Sequence, residues 1–166
     1  MKFIIRSFIF TLFLGVNLSA YSLENDSNKP IDIESSSQEF DMETNTITLN
    51  GNVLITQGSI KIAADKVTIF RQEGKKEVIK ASGSPVRFHQ ILDSGKPVDG
   101  QANRVHYDLG TEFLTLIDNA QLKQLDSSVK AEKITYDVKK QQLKAVRQGK
   151  GNRVKTVLIP LQLKDK

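Results

Sequence analysis

The side chains with the greatest capacity for chemistry are two histidines and a scattered set of carboxylates. His89 and His106 are the only histidines, and the sequence has no cysteine. Histidine and carboxylate together form a typical zinc ligand set. Neither histidine, however, has a second ligand at a suitable spacing, and each adjoins an aromatic residue, Phe88 or Tyr107, that should face inward. Alternation along a strand then turns both imidazoles outward, which predicts surface histidines and no metal site.

Several carboxylates lie in or beside predicted turns; they are Asp93, Asp99, Glu112 and Asp118. A pair of carboxylates facing one cleft is what a glycoside hydrolase needs. Asp is also common in turns because its side chain accepts hydrogen bonds from the neighbouring backbone, and nothing in the spacing gathers these residues at one cleft. We therefore assign no catalytic residue and no cofactor. A secreted carbohydrate-active β-solenoid enzyme stays open as an alternative.

The first 22 residues have the pattern of a secretory signal peptide. Lys2 and Arg6 precede the apolar stretch FIFTLFLGV, and small residues follow it. The apolar stretch is too short to span a bilayer. We therefore expect residues 1–22 to be removed on export and residues 23–166 to form a single domain outside the cytosol. Without cysteine, apolar burial and backbone pairing must hold that domain together.

The charge balance is mildly basic. The 166 residues carry a net charge of +5, and removal of the two positive charges of the signal leaves +3. This small excess, without interleaved aromatic and basic residues, argues against a nucleic-acid partner. An anionic lipid or saccharide suits an exported protein better. The cations gather towards the C-terminus, where lysines on a sheet edge would deter unwanted strand pairing.

Apolar and polar residues alternate through most of the chain. The stretch TLNGNVLITQGSIKIAADKVTIF, residues 48–70, is typical. Asn-Gly and Gly separate its apolar runs, as they do in β-hairpins, and SGSP and DN are further turn signals in later stretches. No segment keeps a helical period of 3.6 residues. The pattern predicts short antiparallel strands joined by tight turns, and a nearly all-β domain.

The sequence contains an internal repeat. Residues 41–70 align with residues 108–137 without a gap, at a shift of 67 positions. A unit of this kind cannot bury its apolar face alone, whereas stacked units share one continuous interior. A small residue recurs in each unit, at Ala64, Ala102 and Ala131, and suits a corner where two sheets approach closely. The repeat predicts a jelly roll or a solenoid-like sandwich of two facing sheets.

Alternation also predicts which side chains face the interior of this sandwich. They are Ile31, Ile33, Phe40, Ile55, Ile62, Ile69, Val86, Phe88, Tyr107, Leu109, Leu114, Leu116, Leu122 and Ile134. Such an interior is either a closed core filled by its own side chains or a sandwich that is open along one side and accepts acyl chains. Composition does not decide between the two, although export without catalytic residues favours a carrier.

Four stretches, PIDIESSSQEFDM, GNVLITQGSIKIAADKV, GKPVDGQANRVHYDL and AEKITYDVKKQQL, carry a resemblance to a known family. The chain resembles the OstA-like (LptA) family of periplasmic lipopolysaccharide-transport proteins from Pro30 to its C-terminal KTVLIPLQLKDK. The resemblance implies an all-β fold, an open V-shaped antiparallel β-jellyroll built from repeated hairpins. It also implies a non-enzymatic protein of the periplasm.

The resemblance further implies a lipid ligand and protein partners. The ligand is lipopolysaccharide, bound through the acyl chains of lipid A in a hydrophobic groove. Monomers of the family join head to tail by pairing of edge strands. They also join an inner-membrane-anchored LptC-like jellyroll and the N-terminal domain of an LptD-like outer-membrane translocon, so that they bridge the two membranes. A structural adaptor that polymerises without holding lipid stays open as an alternative.

Alternation and the resemblance together indicate two sets of site residues. The predicted lipid-binding residues are Ile31, Ile33, Phe40, Ile55, Phe88, Tyr107, Leu109 and Leu116. The predicted partner interface lies at the two ends of the domain and comprises Ile31, Asp32, Ile33, Glu34, Val157, Leu158 and Ile159. Of these residues, Phe88 and Tyr107 should matter most for lipid, because aromatic rings bury a large area at low entropic cost.

Overall fold

A computed structural model describes residues 26–147 and 153–158 of the chain. Apart from a 3₁₀ turn at Asp26–Asn28, the regular elements of the described residues are all strands. They are β1 (Asp32–Glu34), β2 (Ser37–Asp41), β3 (Thr46–Gln57), β4 (Ile60–Phe70), β5 (Val78–Ile91), β6 (Pro97–Asp108), β7 (Phe113–Gln124), β8 (Ser127–Asp137), β9 (Gln142–Val146) and β10 (Lys155–Val157). Among these residues no helix is long and apolar enough to cross a membrane.

The strands form one antiparallel sheet in which neighbours in sequence are neighbours in space. The six long strands, β3 to β8, pair consecutively, and short strands flank them: β1 and β2 both pair with β3, while β9 and β10 both pair with β8. Within the described residues the two flanks do not pair with each other. The sheet is therefore open, and it confirms the predicted all-β jellyroll of repeated hairpins.

A line of bulges divides the sheet into two layers. The register shifts once in every ladder between long strands, for example between Asn50 and Val53 in β3 and between Ile117 and Ala120 in β7. On one side of this line is the first layer, made of β1, β10 and residues 53–57, 60–64, 86–91, 97–102, 120–124 and 127–131. On the other side is the second layer, made of β2, β9 and residues 46–50, 66–70, 78–82, 104–108, 113–117 and 133–137.

The two layers face each other because the sheet folds at the bulges. Phe88 of the first layer is paired with Gly100, which precedes Tyr107 of the second layer by seven residues of the same strand. An extended strand would place Gly100 and Tyr107 about 23 Å apart. The Phe88 and Tyr107 rings nevertheless lie 5.4 Å apart, centroid to centroid. Each long strand therefore turns the corner and contributes to both layers.

The alanines predicted at the corner do lie there. Ala64, Ala102 and Ala131 each occupy the last paired position before a register shift. The prediction that Asn50-Gly51 joins two strands was wrong, because β3 runs through this position without reversing. Gly51 and Asn52 both have positive φ angles there. Residues that readily adopt a positive φ angle, such as Gly and Asn, occur both in hairpin turns and in bulges. The residue types alone therefore did not distinguish the two.

The internal repeat is reproduced by the backbone. A shift of 67 residues carries the bounds of β3 and β4 onto those of β7 and β8. It also carries the bulge of β3 onto the bulge of β7, and the positive φ of Asn45 onto that of Glu112. The buried core lies between the layers and draws on β3 to β8 alike, so the two repeats share one interior as predicted.

Candidate lipid-binding interior and sheet edges

Most of the predicted lipid-binding residues lie deep between the two layers. Ile55, Phe88, Tyr107, Leu109 and Leu116 are each at most 2% exposed and belong to one continuous apolar cluster. Leu109 follows the end of β6, but it keeps the inward parity of Tyr107. Alternation thus located the interior correctly. In this structure the space between the layers at these positions is filled by the side chains themselves.

Phe88 and Tyr107 make an aromatic contact between the layers. Their rings meet edge to face with an interplanar angle of 75°. The Tyr107 hydroxyl is 3.4 Å from Oε1 of Gln90, a buried polar side chain of the first layer. Burial raises the pKa of Tyr107, and the carboxylates of Glu112 and Asp26 raise it further. Tyr107 is therefore a neutral hydrogen-bond donor that ties the second layer to the first.

The remaining predicted lipid-binding residues lie at the N-terminal end of the interior. Ile31 and Ile33 are half-buried against the core cluster. Phe40 faces the same side of the sheet as Ile47, its partner across the β2–β3 ladder. It is nonetheless 56% exposed, because β2 is an edge strand and no further strand of the described chain covers it. Phe40 therefore marks the end of the apolar interior.

The side of the sandwich opposite the bulges is crossed by a short segment, residues 26–31, which we call the N-terminal strap. Asp26 accepts hydrogen bonds from the backbone N–H and the hydroxyl of Ser59. The backbone carbonyl of Lys29 accepts a hydrogen bond of 2.8 Å from Nε2 of Gln57. Lys76, in the loop after β4, donates to Oδ1 of Asn28 at 2.8 Å. The strap thus connects the free margins of both layers, by which we mean the strand ends farthest from the bulges.

Beyond the strap, a polar cavity of about 250 Å³ lies between the same two margins. Its lining residues are Asp26, Lys29, Ser59, Gln90, Ile91, Leu92, Asp93, Glu112, Val138, Lys139 and Gln141. Nζ of Lys139 lies 3.9 Å from Oε1 of Glu112, a largely buried carboxylate. Sequence reasoning placed Glu112 at a turn and missed that it lines the opening of the interior. It also missed Gln90, which has the inward parity of Phe88.

Three aspartates shape the turns at the free margin of the second layer. Oδ1 of Asp41 accepts hydrogen bonds from the backbone of Glu43 and Thr44, and Asp108 and Asp137 act similarly in the next turns. The hydrogen bond from the Thr44 backbone is the main cause of the lowered pKa of Asp41. Burial raises the pKa of Asp108, but hydrogen bonds from Thr111 and Gly110 outweigh it and lower the pKa. These carboxylates therefore serve turn geometry.

His89, Asp99 and Asp118 each belong to an isolated pair on the outer surface. Nδ1 of His89 is 2.8 Å from Oδ1 of Asp99, and Nη2 of Arg104 is 2.6 Å from Oδ2 of Asp118. His106 is partly exposed, and burial together with the nearby Lys80 lowers its pKa. No group of three potential metal ligands occurs in the part of the chain that the structure describes. Both imidazoles point outward, as alternation predicted.

The predicted interface residues that the structure describes lie at the two edges of the first layer. Asp32 and Glu34 of β1 are exposed on the outer face, and Ile33 between them faces the interior opposite Ile55. At the other edge, Val157 of β10 and Leu158 just after it are also exposed. Ile159 lies outside the described residues. The interface residues that the structure describes therefore lie in or next to β1 and β10, which have one edge unpaired among the described strands, as strand addition requires.

The chain is similar to known proteins of lipopolysaccharide transport. A protein-family profile described as "LptA/(LptD N-terminal domain) LPS transport protein" matches residues 32–142. Lipopolysaccharide export system protein LptA of Haemophilus influenzae is 59% identical over 159 residues, which are 94% of this chain and 91% of the relative. LptA of Escherichia coli is 48% identical over 155 residues, 92% of this chain and 83% of the relative.

A solved structure agrees with these matches. The crystal structure of LptH, the LptA-homologous periplasmic component of the lipopolysaccharide transport device of Pseudomonas aeruginosa, superposes with a TM-score of 0.77 at 26% identity. The superposition covers 82% of this chain and 100% of the LptH chain in that crystal structure. The matched profile spans β1 to β8. The chain belongs to the LptA/LptD N-terminal domain family of lipopolysaccharide transport proteins.

Proposed function

We propose that this chain is a periplasmic carrier that binds lipopolysaccharide and takes part in its passage between the inner and outer membranes. Membership of a transport family supports a non-enzymatic role. The observation that carries the proposal is the apolar interior between the two layers, which runs from edge to edge of a sheet that does not close. We infer that residues 1–22 direct export and are removed, which leaves residues 23–166 as the working domain.

The acyl chains of lipid A would lie between the layers. A chain of about twelve carbons costs roughly 10 kcal/mol to expose to water, at about 0.8 kcal/mol per methylene. Lipid A carries several such chains and so needs a long, unbroken apolar cover. Because Phe88 and Tyr107 are in contact here, the layers must move apart for a chain to pass between them. On entry of the lipid, contacts between side chains, such as the one between the Phe88 and Tyr107 rings, would be replaced by contacts with the acyl chain.

The free edges suit the protein partners that the family resemblance implies. We propose that copies of the chain join head to tail by strand addition, because β1 and β10 each have one backbone edge that no strand of the described residues pairs with. The same edges would accept an inner-membrane-anchored LptC-like jellyroll and the N-terminal domain of an LptD-like translocon. A continuous apolar interior would then extend from one jellyroll to the next. Such contacts do not close, so they can extend into rods.

Site-specific photo-crosslinking tests lipid binding directly. We expect a benzophenone side chain in place of Phe88 to crosslink to lipopolysaccharide and to lose the crosslink when excess lipid A is added as a competitor. The matched control carries the same side chain in place of Gln101, an exposed residue on the outer face of the same layer. Circular dichroism checks that both variants fold. Equal labelling at the two positions, or no labelling at Phe88 in a folded protein, would contradict the proposal.

A further inference from the structure

The two edges of the open sheet carry opposite charges. Residues 32–41, which form β1 and β2, contain four carboxylates and no cation. Residues 142–158, which include β9 and β10, contain five cations and no carboxylate. The side chains concerned in the described strands are exposed. One edge of each layer is therefore acidic and the other basic.

The charged side chains at both edges point to the outer face of the sandwich. In the first layer, Ile33 and Thr156 occupy inward positions, which leaves Glu34 and Lys155 on the outer face. In the second layer, Glu39 of β2 and Lys144 of β9 have the outward parity. No ion pair within the described residues engages any of these four charges. They are thus available to a neighbouring molecule.

The strand directions allow a second copy to continue both layers. Every ladder from β1 through β3 to β8 and on to β10 is antiparallel, so β1 and β10 run in opposite directions. The same reasoning applies to β2 and β9. A second copy in the same orientation can therefore place its β10 beside β1 and its β9 beside β2. Both new ladders would be antiparallel, like those within the sheet.

An apolar row across the second layer ends at both edges with an exposed side chain. Cross-strand partners link this row, which consists of Phe40, Ile47, Ile69, Ile79, Tyr107, Leu114, Tyr136 and Leu143. Phe40 is 56% exposed and Leu143 is 39% exposed, whereas the members between them are covered. A copy added at the edge would bring its Leu143 against Phe40 and remove both from water.

We infer that the junction between copies is set by this charge polarity, with Glu34 and Glu39 of one copy facing Lys155 and Lys144 of the next while Phe40 packs against Leu143. This inference rests on the head-to-tail assembly proposed above. Acidic against acidic edges, and basic against basic edges, repel each other, so the charges exclude the two wrong orientations. They also make assembly dependent on salt, because exposed charges are screened over about 10 Å at 0.1 M ionic strength.

Charge reversal at each edge tests the inference. The head variant is Glu34→Lys with Glu39→Lys, and the tail variant is Lys144→Glu with Lys155→Glu. A control, Lys61→Glu with Lys123→Glu, makes the same charge change as the tail variant on outward positions of the first layer away from the edges. Self-association is measured by sedimentation velocity at low and high salt. We expect each edge variant alone to weaken association about tenfold, and the control to leave it within about twofold of the unaltered chain.

A mixture of the two edge variants gives the sharper result. Head variant and tail variant together should assemble about as well as the unaltered chain, because the reversed head meets the reversed tail. If the unaltered chain assembles but the edge variants and the control behave alike, the charge inference is wrong while head-to-tail assembly stands. If the unaltered chain stays monomeric at every concentration and salt, the assembly proposal itself fails, and the inference fails with it.

Discussion

The hairpins β3–β4 and β7–β8 have equivalent strand bounds and bulges, but different side chains at their positions of positive φ. Gly51 and Gly58 of the first hairpin have positive φ angles of 77° and 59°. The corresponding residues of the second hairpin, Asp118 and Leu125, have φ angles of 63° and 53°. Side chains larger than hydrogen are therefore compatible with this backbone, although Gly adopts it at lower cost.

What differs between the hairpins is the chain packed against them. A Cβ atom on Gly51 would lie 2.8 Å from Oγ of Ser36, and one on Gly58 would overlap the carboxylate of Asp26. The N-terminal segment runs over the first hairpin, whereas Asp118 in the second is on the surface and pairs with Arg104. The comparison indicates that close approach of another segment, more than the φ angle, explains the two glycines.

Substitutions at equivalent core positions of the two hairpins should have the largest effect on stability, and they test whether the hairpins are equivalent. Leu49 and Leu116 are 67 residues apart, and both are fully buried. We expect Leu49→Ala and Leu116→Ala each to lower the free energy of unfolding by about 2–5 kcal/mol, since each leaves a cavity in a shared interior. Urea denaturation of both variants measures this. A loss confined to one of them would show that the repeats do not share one core equally.

A smaller effect separates packing from backbone strain. Gly58→Ala should destabilise the protein by about 1–3 kcal/mol, because the new methyl group displaces Asp26 from Ser59. Leu125→Ala keeps a Cβ atom at the equivalent positive φ angle, but the strap does not pack on this position. It should therefore destabilise the protein less than Gly58→Ala does. Hydrogen exchange at the Ser59 amide reports the displaced contact. A loss of this size at Gly58, with Ser59 still protected, would attribute the role of Gly58 to its φ angle alone.

The smallest expected effect is on the pH dependence of stability, at two turns that the repeat relates to each other. Asp41 and Asp108 are related by the repeat, and their pKa values are lowered from 3.8 in the folded protein. A carboxyl whose pKa is lower when folded stabilises the fold above pH 3.8, and that contribution disappears as the pH falls through the folded value. Asp41→Ala and Asp108→Ala should therefore both reduce the loss of stability between pH 6 and pH 2.5. Chemical denaturation at the two pH values tests whether the two turns respond alike.

The sequence allowed the interior and the repeat to be predicted because both depend on local periodicity. Alternation placed Phe88 and Tyr107 inward and the two histidines outward, and the shift of 67 residues reproduced the strand bounds. The recurring alanines located the corner. These predictions needed no knowledge of which strands pair over long distances.

Other features depend on contacts between distant segments, which periodicity does not report. Residues 26–29, DSNK, show no alternation of apolar and polar residues, yet Asp26 and Lys29 are hydrogen-bonded to the β3–β4 hairpin. The strand β2 has no buried residue, so alternation gave little sign of it. The exposure of Phe40 could not be foreseen either, because its parity is inward and only its position at a free edge leaves it uncovered.

The line of bulges has a mechanical consequence, since it can serve as the hinge of the sandwich. Every long strand crosses this line, so swinging the layers apart about it would leave the interstrand ladders intact. Resistance would come from side-chain contacts such as Phe88–Tyr107 and from the few polar ties at the strap. Opening would cost about 25 cal/mol for each Å² of apolar surface exposed, a cost that an entering hydrocarbon chain offsets. The distance between the layers could then adapt to the size of the bound lipid while the register of every strand pair stays the same.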